Sequence, residues 1–249
     1  MTPSEPILNA FSHRDDERAR PLHESLELGF RFIEMDVWHL FGRTLVAHDP
    51  QDLRPRRTLR RLYLDPLRSL VGDRAVTGDD PLWLFVDTKT RAGPMHAALE
   101  RLAQEFADVV ADPADPEDER PVRLVLTGNR PDVGRLRRTT ERRTALDGRV
   151  GDIGVHTGPR LMPVVSDHWP THFRWRGRGE MPDGERTWLR AQVAALRATG
   201  QRLRFWETPD APGPEREAVW STLLDEGVDL INTDDVHGLA AFLRGRRGA

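Results

Sequence analysis

The sequence predicts an α/β protein folded as a single-domain (β/α)8 TIM barrel. Eight short β-type runs alternate mainly with amphipathic stretches, the length of 249 residues suits one such barrel, and the glycine-rich turn of a dinucleotide-binding open sheet is absent. The predicted strands cover residues 7–12, 32–38, 82–88, 123–127, 150–155, 162–166, 203–207 and 228–232. Helical patterns fit 21–28, 94–110, 131–141, 185–198, 215–226 and 237–243, three of them opening on Pro21, Pro94 and Pro131. Between the second and third strands, residues 40–80 read as an excursion: Thr44-Leu-Val-Ala-His48-Asp49 as a short extra strand, then Arg/Leu-rich turns around Tyr63. Residues 111–120, acidic and proline-containing, read as a surface loop between a helix and a strand. The whole chain, 1–249, is read as one domain, without repeats or low-complexity segments.

Composition excludes several functions. There is no cysteine, hence no disulfide, thiolate metal site or cysteine nucleophile. No apolar run is long enough to span a bilayer, and the mean hydropathy is −0.58. The start, Met1-Thr-Pro-Ser-Glu-Pro6, lacks the basic and apolar parts of a secretory leader, so the cytoplasm is the default expectation, with secretion of a trimmed form left open. Basic and acidic side chains nearly balance, 37 against 40, which argues against a broad nucleic-acid surface. All but one of those 37 are arginine; the single lysine is Lys89, a compact point charge kept where a planar fork is otherwise the rule.

In a barrel of this kind the reactive groups gather at the C-terminal ends of the strands. The first strand ends in Ser12-His13-Arg14, the second carries Glu34-Met-Asp36 and the third Asp87-Thr-Lys89. Alternation puts Glu34 and Asp36 on one face, and likewise Asp87 and Lys89. Turned inward, three carboxylates would meet near one ammonium, and a hard divalent cation on oxygen ligands, Mg²⁺ or Ca²⁺, would relieve their repulsion. His13 and His48 flank this cluster in sequence, a combination suited to in-line displacement at phosphorus: one imidazole attacks or acts as base, the other protonates the leaving group. Each feature alone has a plainer reading: a strand end paired with Arg31, a hydrogen-bonded histidine, an interior ion pair. Their joint placement on the first three strands favours a site.

These residues also carry a family resemblance. Ser12-His13-Arg14, Pro21 to Gly29, Ile33-Glu34-Met-Asp36-Val-Trp38, Leu45-Val-Ala-His48-Asp49 and Val86-Asp87-Thr-Lys89-Thr90 resemble the glycerophosphodiester phosphodiesterase-like, phospholipase-C-like phosphodiesterase superfamily. Residues 57–67, Leu126 to Pro131, Arg204 to Pro209, Trp220 and Gly227 to Asp235 look most like its altered inheritance of mitochondria protein 6 group. The resemblance implies a TIM barrel, with Glu34, Asp36 and Asp87 binding one Mg²⁺ or Ca²⁺, His13 and His48 as the acid/base or nucleophile pair, and Lys89 on the phosphate. Trp206 and Asn232 fall where relatives place pocket residues. Two departures bear on substrate: Asp15 replaces the glycine of the usual His-Arg-Gly, with no Glu-Asn-Thr after it, and Asp87 stands where glutamate is usual.

The expected function is a metal-dependent phosphodiesterase, glycerophosphodiesterase- or phospholipase-like, acting on a small-molecule or lipid phosphodiester. Its alternative is a non-catalytic barrel that binds a phospholipid or a protein partner. A hydrolase acting at a carbon centre would need a His-x-His zinc pair on the first strand, which is missing. No nucleic-acid partner is expected, transient contact with a membrane surface is left open, and oligomeric state is not legible. Asp167-His168, His172, the arginines at 135–138 and 142–143, His156 and His237 carry no assigned role.

Overall fold

The computed structural model describes residues 4–72, 76–77, 81–113, 115, 117–137, 142–155 and 158–247. Asp80, Arg138, Glu141 and His156, which figure in the reading above, lie outside the described residues. In chain order the regular elements are β1 (Ile7–Ser12), α1 (His23–Glu27), β2 (Phe30–Leu40), β3 (Arg43–Val46), α2 (Asp65–Gly72), β4 (Leu82–Thr88), α3 (Ala92–Glu105), β5 (Val122–Gly128), α4 (Val133–Arg137), β6 (Thr144–Gly148), β7 (Val164–His168), α5 (Trp169–His172), α6 (Asp183–Thr199), β8 (Arg202–Trp206), α7 (Pro214–Asp225), β9 (Leu230–Thr233) and α8 (Val236–Arg247). Eight strands are parallel and β1 pairs with both β2 and β9, which closes the barrel; β3 lies antiparallel on the outer length of β2.

Alternation along these strands builds the interior in tiers. Phe11, Phe32, Phe85, Val125, Ala145, Val164 and Leu230 fill the middle of the barrel. Two residues further along the strands stand His13, Glu34, Asp87, Thr127, Asp147, Ser166 and Asn232. The charged groups therefore rest on an apolar floor, in the last tier before solvent. Outside, the helices cover the strands with two apolar layers. Helix α6 illustrates the logic: Leu189, Val193 and Leu196 share its buried face, Asp183 and Glu185 favour its first turn, and Gly200 closes it at φ 73°.

The structure corrects one predicted strand. Residues 150–155 are not extended: Val150–Asp152 forms a 3-10 turn, Gly154 adopts φ 76° and Val155 is 58% exposed. The strand is β6, Thr-Ala-Leu-Asp-Gly, every residue of it buried. Asp147, facing inward, breaks the apolar run that would have marked it. The excursion at 40–80 also differs from the reading: besides β3 it contains α2, preceded by a π-type turn at Arg60–Leu64. Leu59, Tyr63, Leu64 and Leu67 form its buried side, hidden in sequence among Arg60, Arg61 and Arg68. No helix among the described residues is long and apolar enough to cross a membrane.

Candidate active site

At the C-terminal mouth of the barrel lies a cavity of about 730 Å³. All eight residues singled out from the sequence line it: His13, Glu34, Asp36, His48, Asp87, Lys89, Trp206 and Asn232. Glu34, Asp36 and Asp87 bring carboxylate oxygens within 4.8 Å of one another. Asp36 and Asp87 are register partners on neighbouring strands, so their convergence follows directly from strand pairing.

Each imidazole is fastened at Nδ1 by a carboxylate. His13 Nδ1 donates to Asp234 Oδ1 at 2.6 Å, while its Nε2 lies 3.6 Å from Glu34 Oε1. His48 Nδ1 donates to Asp36 Oδ2, and Arg14 Nη2 donates to His48 Nε2 at 2.6 Å. Lys89 Nζ stands 2.7 Å from Asp87 Oδ2 and 3.3 Å from Asp36 Oδ1. Burial pulls the His13 imidazole down, but its hydrogen bond to Asp234 and the charge of Glu34 outweigh this and raise its pKa. Burial likewise opposes the charge on Lys89, and Asp87 and Asp36 more than restore it, so its pKa rises.

Local sequence explains these positions. After His13 the chain turns at once, Arg14 adopting φ 49°, and this sends Asp15 inward. Asp15 accepts from Leu22 N (2.6 Å), Ser25 Oγ (2.5 Å) and Tyr63 Oη (2.9 Å), anchoring the turn from below. This accounts for the departure from His-Arg-Gly: Arg14 takes the left-handed conformation and Asp15 serves as the tie. Gly128 is needed for another reason. Its φ is 70°, and a Cβ there would overlap the Asp87 carboxylate. On the far side, Asp210 accepts from Thr233 Oγ1 (2.6 Å) and Asp234 N (2.7 Å), fixing the end of β9 that presents Asp234.

The donor set fits a divalent cation. Burial first, and then the charge of Glu34, push Asp87 up to about 6 despite Lys89 beside it. Three carboxylates converge here, their oxygens are hard ligands, and Gly128 leaves room for the Asp87 side chain. Glu34 is held the other way: burial raises its pKa, but Arg204 and His13 outweigh it and the net shift is downward.

Several site residues escaped the sequence reading. Arg204, 2% exposed, donates from Nη1 to Glu34 Oε2 and from Nε to Ser166 Oγ (2.9 Å), with Asp147 Oδ2 at 3.6 Å and the Phe11 ring 3.9 Å away. Asp234 and Arg14 were visible only as parts of motifs. With 36 arginines in the chain, a charged residue between Leu203 and Phe205 in a strand buried on both faces is the one available signal for Arg204. Trp206, 36% exposed, packs at a tilt against the His168 ring, 4.3 Å between centroids. The remaining unassigned histidines have other partners: His172 stacks on Trp188 near Asp167, and His237 pairs with Glu24.

The closed parallel barrel is a fold shared with solved glycerophosphodiester phosphodiesterase and phospholipase C structures. In sequence the chain is similar to the altered inheritance of mitochondria protein 6 group. The family described as "AIM6-like phosphodiesterase domain" matches residues 5–79, and the "Glycerophosphoryl diester phosphodiesterase family" matches 202–237. Altered inheritance of mitochondria protein 6 of Eremothecium gossypii is 29% identical over 97% of this chain and 71% of that protein. Its homolog from Arthroderma benhamiae is 26% identical over 93% of this chain and 82% of its own length. Among solved structures, a calcium-dependent phosphoinositol-specific phospholipase C from a Pseudomonas species superposes with a TM-score of 0.59 at 14% identity, covering 93% of this chain and 90% of that one. A glycerophosphodiester phosphodiesterase from Parabacteroides distasonis gives 0.58 at 14% identity, covering 98% and 100%.

Proposed function

We propose that this protein is a divalent-cation-dependent phosphodiesterase acting on a phosphodiester of lipid or lipid-headgroup type. One observation carries the reading: two imidazoles, each oriented at Nδ1 by a carboxylate, line one cavity with three clustered carboxylates and the only lysine of the chain. Glu34, Asp36 and Asp87 would hold Mg²⁺ or Ca²⁺, which when bound supplies charge stabilisation to phosphoryl oxygens. Lys89 Nζ offers a second positive charge to the same oxygens. His13, with its Nδ1 proton committed to Asp234, uses the Nε2 lone pair to take the proton of the attacking hydroxyl. Once Arg14 turns toward the incoming phosphate, where its guanidinium finds a stronger acceptor than imidazole, His48 takes a proton from solvent at the freed Nε2 and gives it to the leaving alkoxide. Trp206 and Asn232 form the wall that receives the alcohol portion of the substrate.

The test is phosphorus NMR of the products from lysophospholipids, glycerophosphodiesters and phosphoinositides, with and without EDTA. Hydrolysis or cyclic-phosphate formation that stops with EDTA is the expected result; inertness towards every diester in the panel would refute the assignment. Asp87→Asn should weaken Mg²⁺ binding by more than roughly tenfold in calorimetry. In the parent protein the proton on Asp87, lost near pH 6, competes with the cation, so Mg²⁺ affinity should rise between pH 5 and 7. An unchanged affinity in the variant would remove Asp87 from the ligand set.

A further inference from the structure

The β2–β3 hairpin contradicts its own turn chemistry. Leu40 pairs with Arg43, leaving a two-residue loop of Phe41 (φ 50°) and Gly42 (φ 74°). Both central positions of such a turn require positive φ, and the residue that suits the first is asparagine or glycine. Here it is phenylalanine, 98% exposed, the most exposed large apolar side chain among the described residues. Neither the apolar core nor the turn geometry calls for a phenylalanine at this position.

Its position indicates what this side chain serves. Strand β2 pairs with β4 only as far as Val37, then continues to Leu40 past the site carboxylate Asp36. At about 3.3 Å per residue, Phe41 stands roughly 16 Å beyond Asp36 along the strand direction, on the side where the active site opens. From the hairpin back to the site runs an open groove that shares Lys89 and Asn129 with the active-site cavity. Its lining includes Leu40, Ala92 and Pro94 together with Lys89, Arg91 and Arg130, and no carboxylate. Arg43 next to the tip and Arg91 on the groove are exposed and, among the described residues, in no ion pair. An apolar tip rimmed by free guanidinium groups matches an interface that is apolar inside and anionic at its surface.

We infer that the hairpin tip and this groove form a docking face for an anionic phospholipid surface, with Phe41 inserted among the headgroups. The inference deepens the reading above and rests on its lipid substrate class. Co-sedimentation with phosphatidylcholine vesicles, with and without phosphatidylglycerol, tests it. The protein should bind the anionic vesicles more tightly than the neutral ones. Phe41→Asn should weaken that binding roughly tenfold or more, while its unfolding temperature stays equal or rises because asparagine suits the turn. Phe41→Leu, which keeps an apolar tip, should retain most of the binding. Arg43→Gln with Arg91→Gln should erase the preference for anionic vesicles. Failure of the unaltered protein to bind at low salt, or Phe41→Asn binding as well as the unaltered protein, would overturn the inference; the former result would leave the exposed tip to a protein partner instead. Turnover of a soluble diester, measured in parallel, reports on the catalytic reading alone, so either can fail without the other.

Discussion

Replacing His13 or His48 by alanine is expected to lower turnover of a susceptible phosphodiester by roughly 10²- to 10⁴-fold in each case, as removal of a positioned acid or base does elsewhere. Thermal unfolding should shift little, by no more than about 3 °C, because both side chains are partly exposed and neither belongs to the apolar layers. The two losses should not multiply in the double variant. Proton removal at one side of the phosphorus and proton delivery at the other serve one displacement, and with one partner missing the other has little left to assist. The carboxylates behind the rings strengthen this expectation. Asp234 is held below its ordinary range: burial raises it, but the hydrogen bond and charge of His13 outweigh this, with Arg14 and Arg18 adding to the effect. It therefore stays ionised at neutral pH and keeps His13 Nδ1 protonated, leaving Nε2 as the functional nitrogen. Near-normal turnover in either single variant, with folding intact, would end the two-histidine reading.

Much of this was legible from strand ends. Glu34 and Asp36 are two residues apart, as are Asp87 and Lys89, and a period of two on parallel strands leaves little freedom over which way they face. His48 was legible through its motif, although it arrives from beyond β3 and not from a barrel strand. What stayed hidden has a common physical cause. β6 carries Asp147 into the interior, and a buried charge in a short strand erases the apolar pattern by which such strands are recognised; β8 was legible at 203–207, but the inward role of its Arg204 was not. The turn at 150–155, with Val150, Ile153 and Val155 between glycines, then offers a better-looking strand than the real one. Asp234 was hidden differently: its partner lies 221 residues away, a contact made only by barrel closure between β9 and β1. The same holds for Arg204 and Glu34, 170 residues apart. Local pattern carries the elements and half of the site; the charge pairs that orient it are products of topology.

The largest effect on stability should come from Arg204. Its side chain, 3% exposed, pairs with Glu34 at depth, and the guanidinium also faces Asp147, Ser166 and the Phe11 ring. Arg204→Met keeps much of the volume and the contact with Phe11 but leaves two buried carboxylates without that counter-charge. Breaking a buried pair in this manner costs about 3–5 kcal/mol. The pH dependence distinguishes this from a packing defect. In the parent, Glu34 has a folded pKa below its unfolded value of about 4.3. Its contribution is therefore present above that pH and fades as pH falls further. Without Arg204, burial prevails and the folded pKa of Glu34 moves above the unfolded value, so the folded state binds more protons than the unfolded one. Stability of the variant should then decline as pH rises from about 4.3 to its new folded pKa, opening a gap from the parent that widens towards neutrality. Asp147, already raised by burial against the pull of Arg204 and Arg149, would be raised further and add to the same slope. Adding Glu34→Gln removes one of the two stranded charges, so the double variant should regain part of the loss at pH 7 and little at pH 4. Urea unfolding across that range is the measurement, and a gap independent of pH would mean that Arg204 acts through packing and not through its charge.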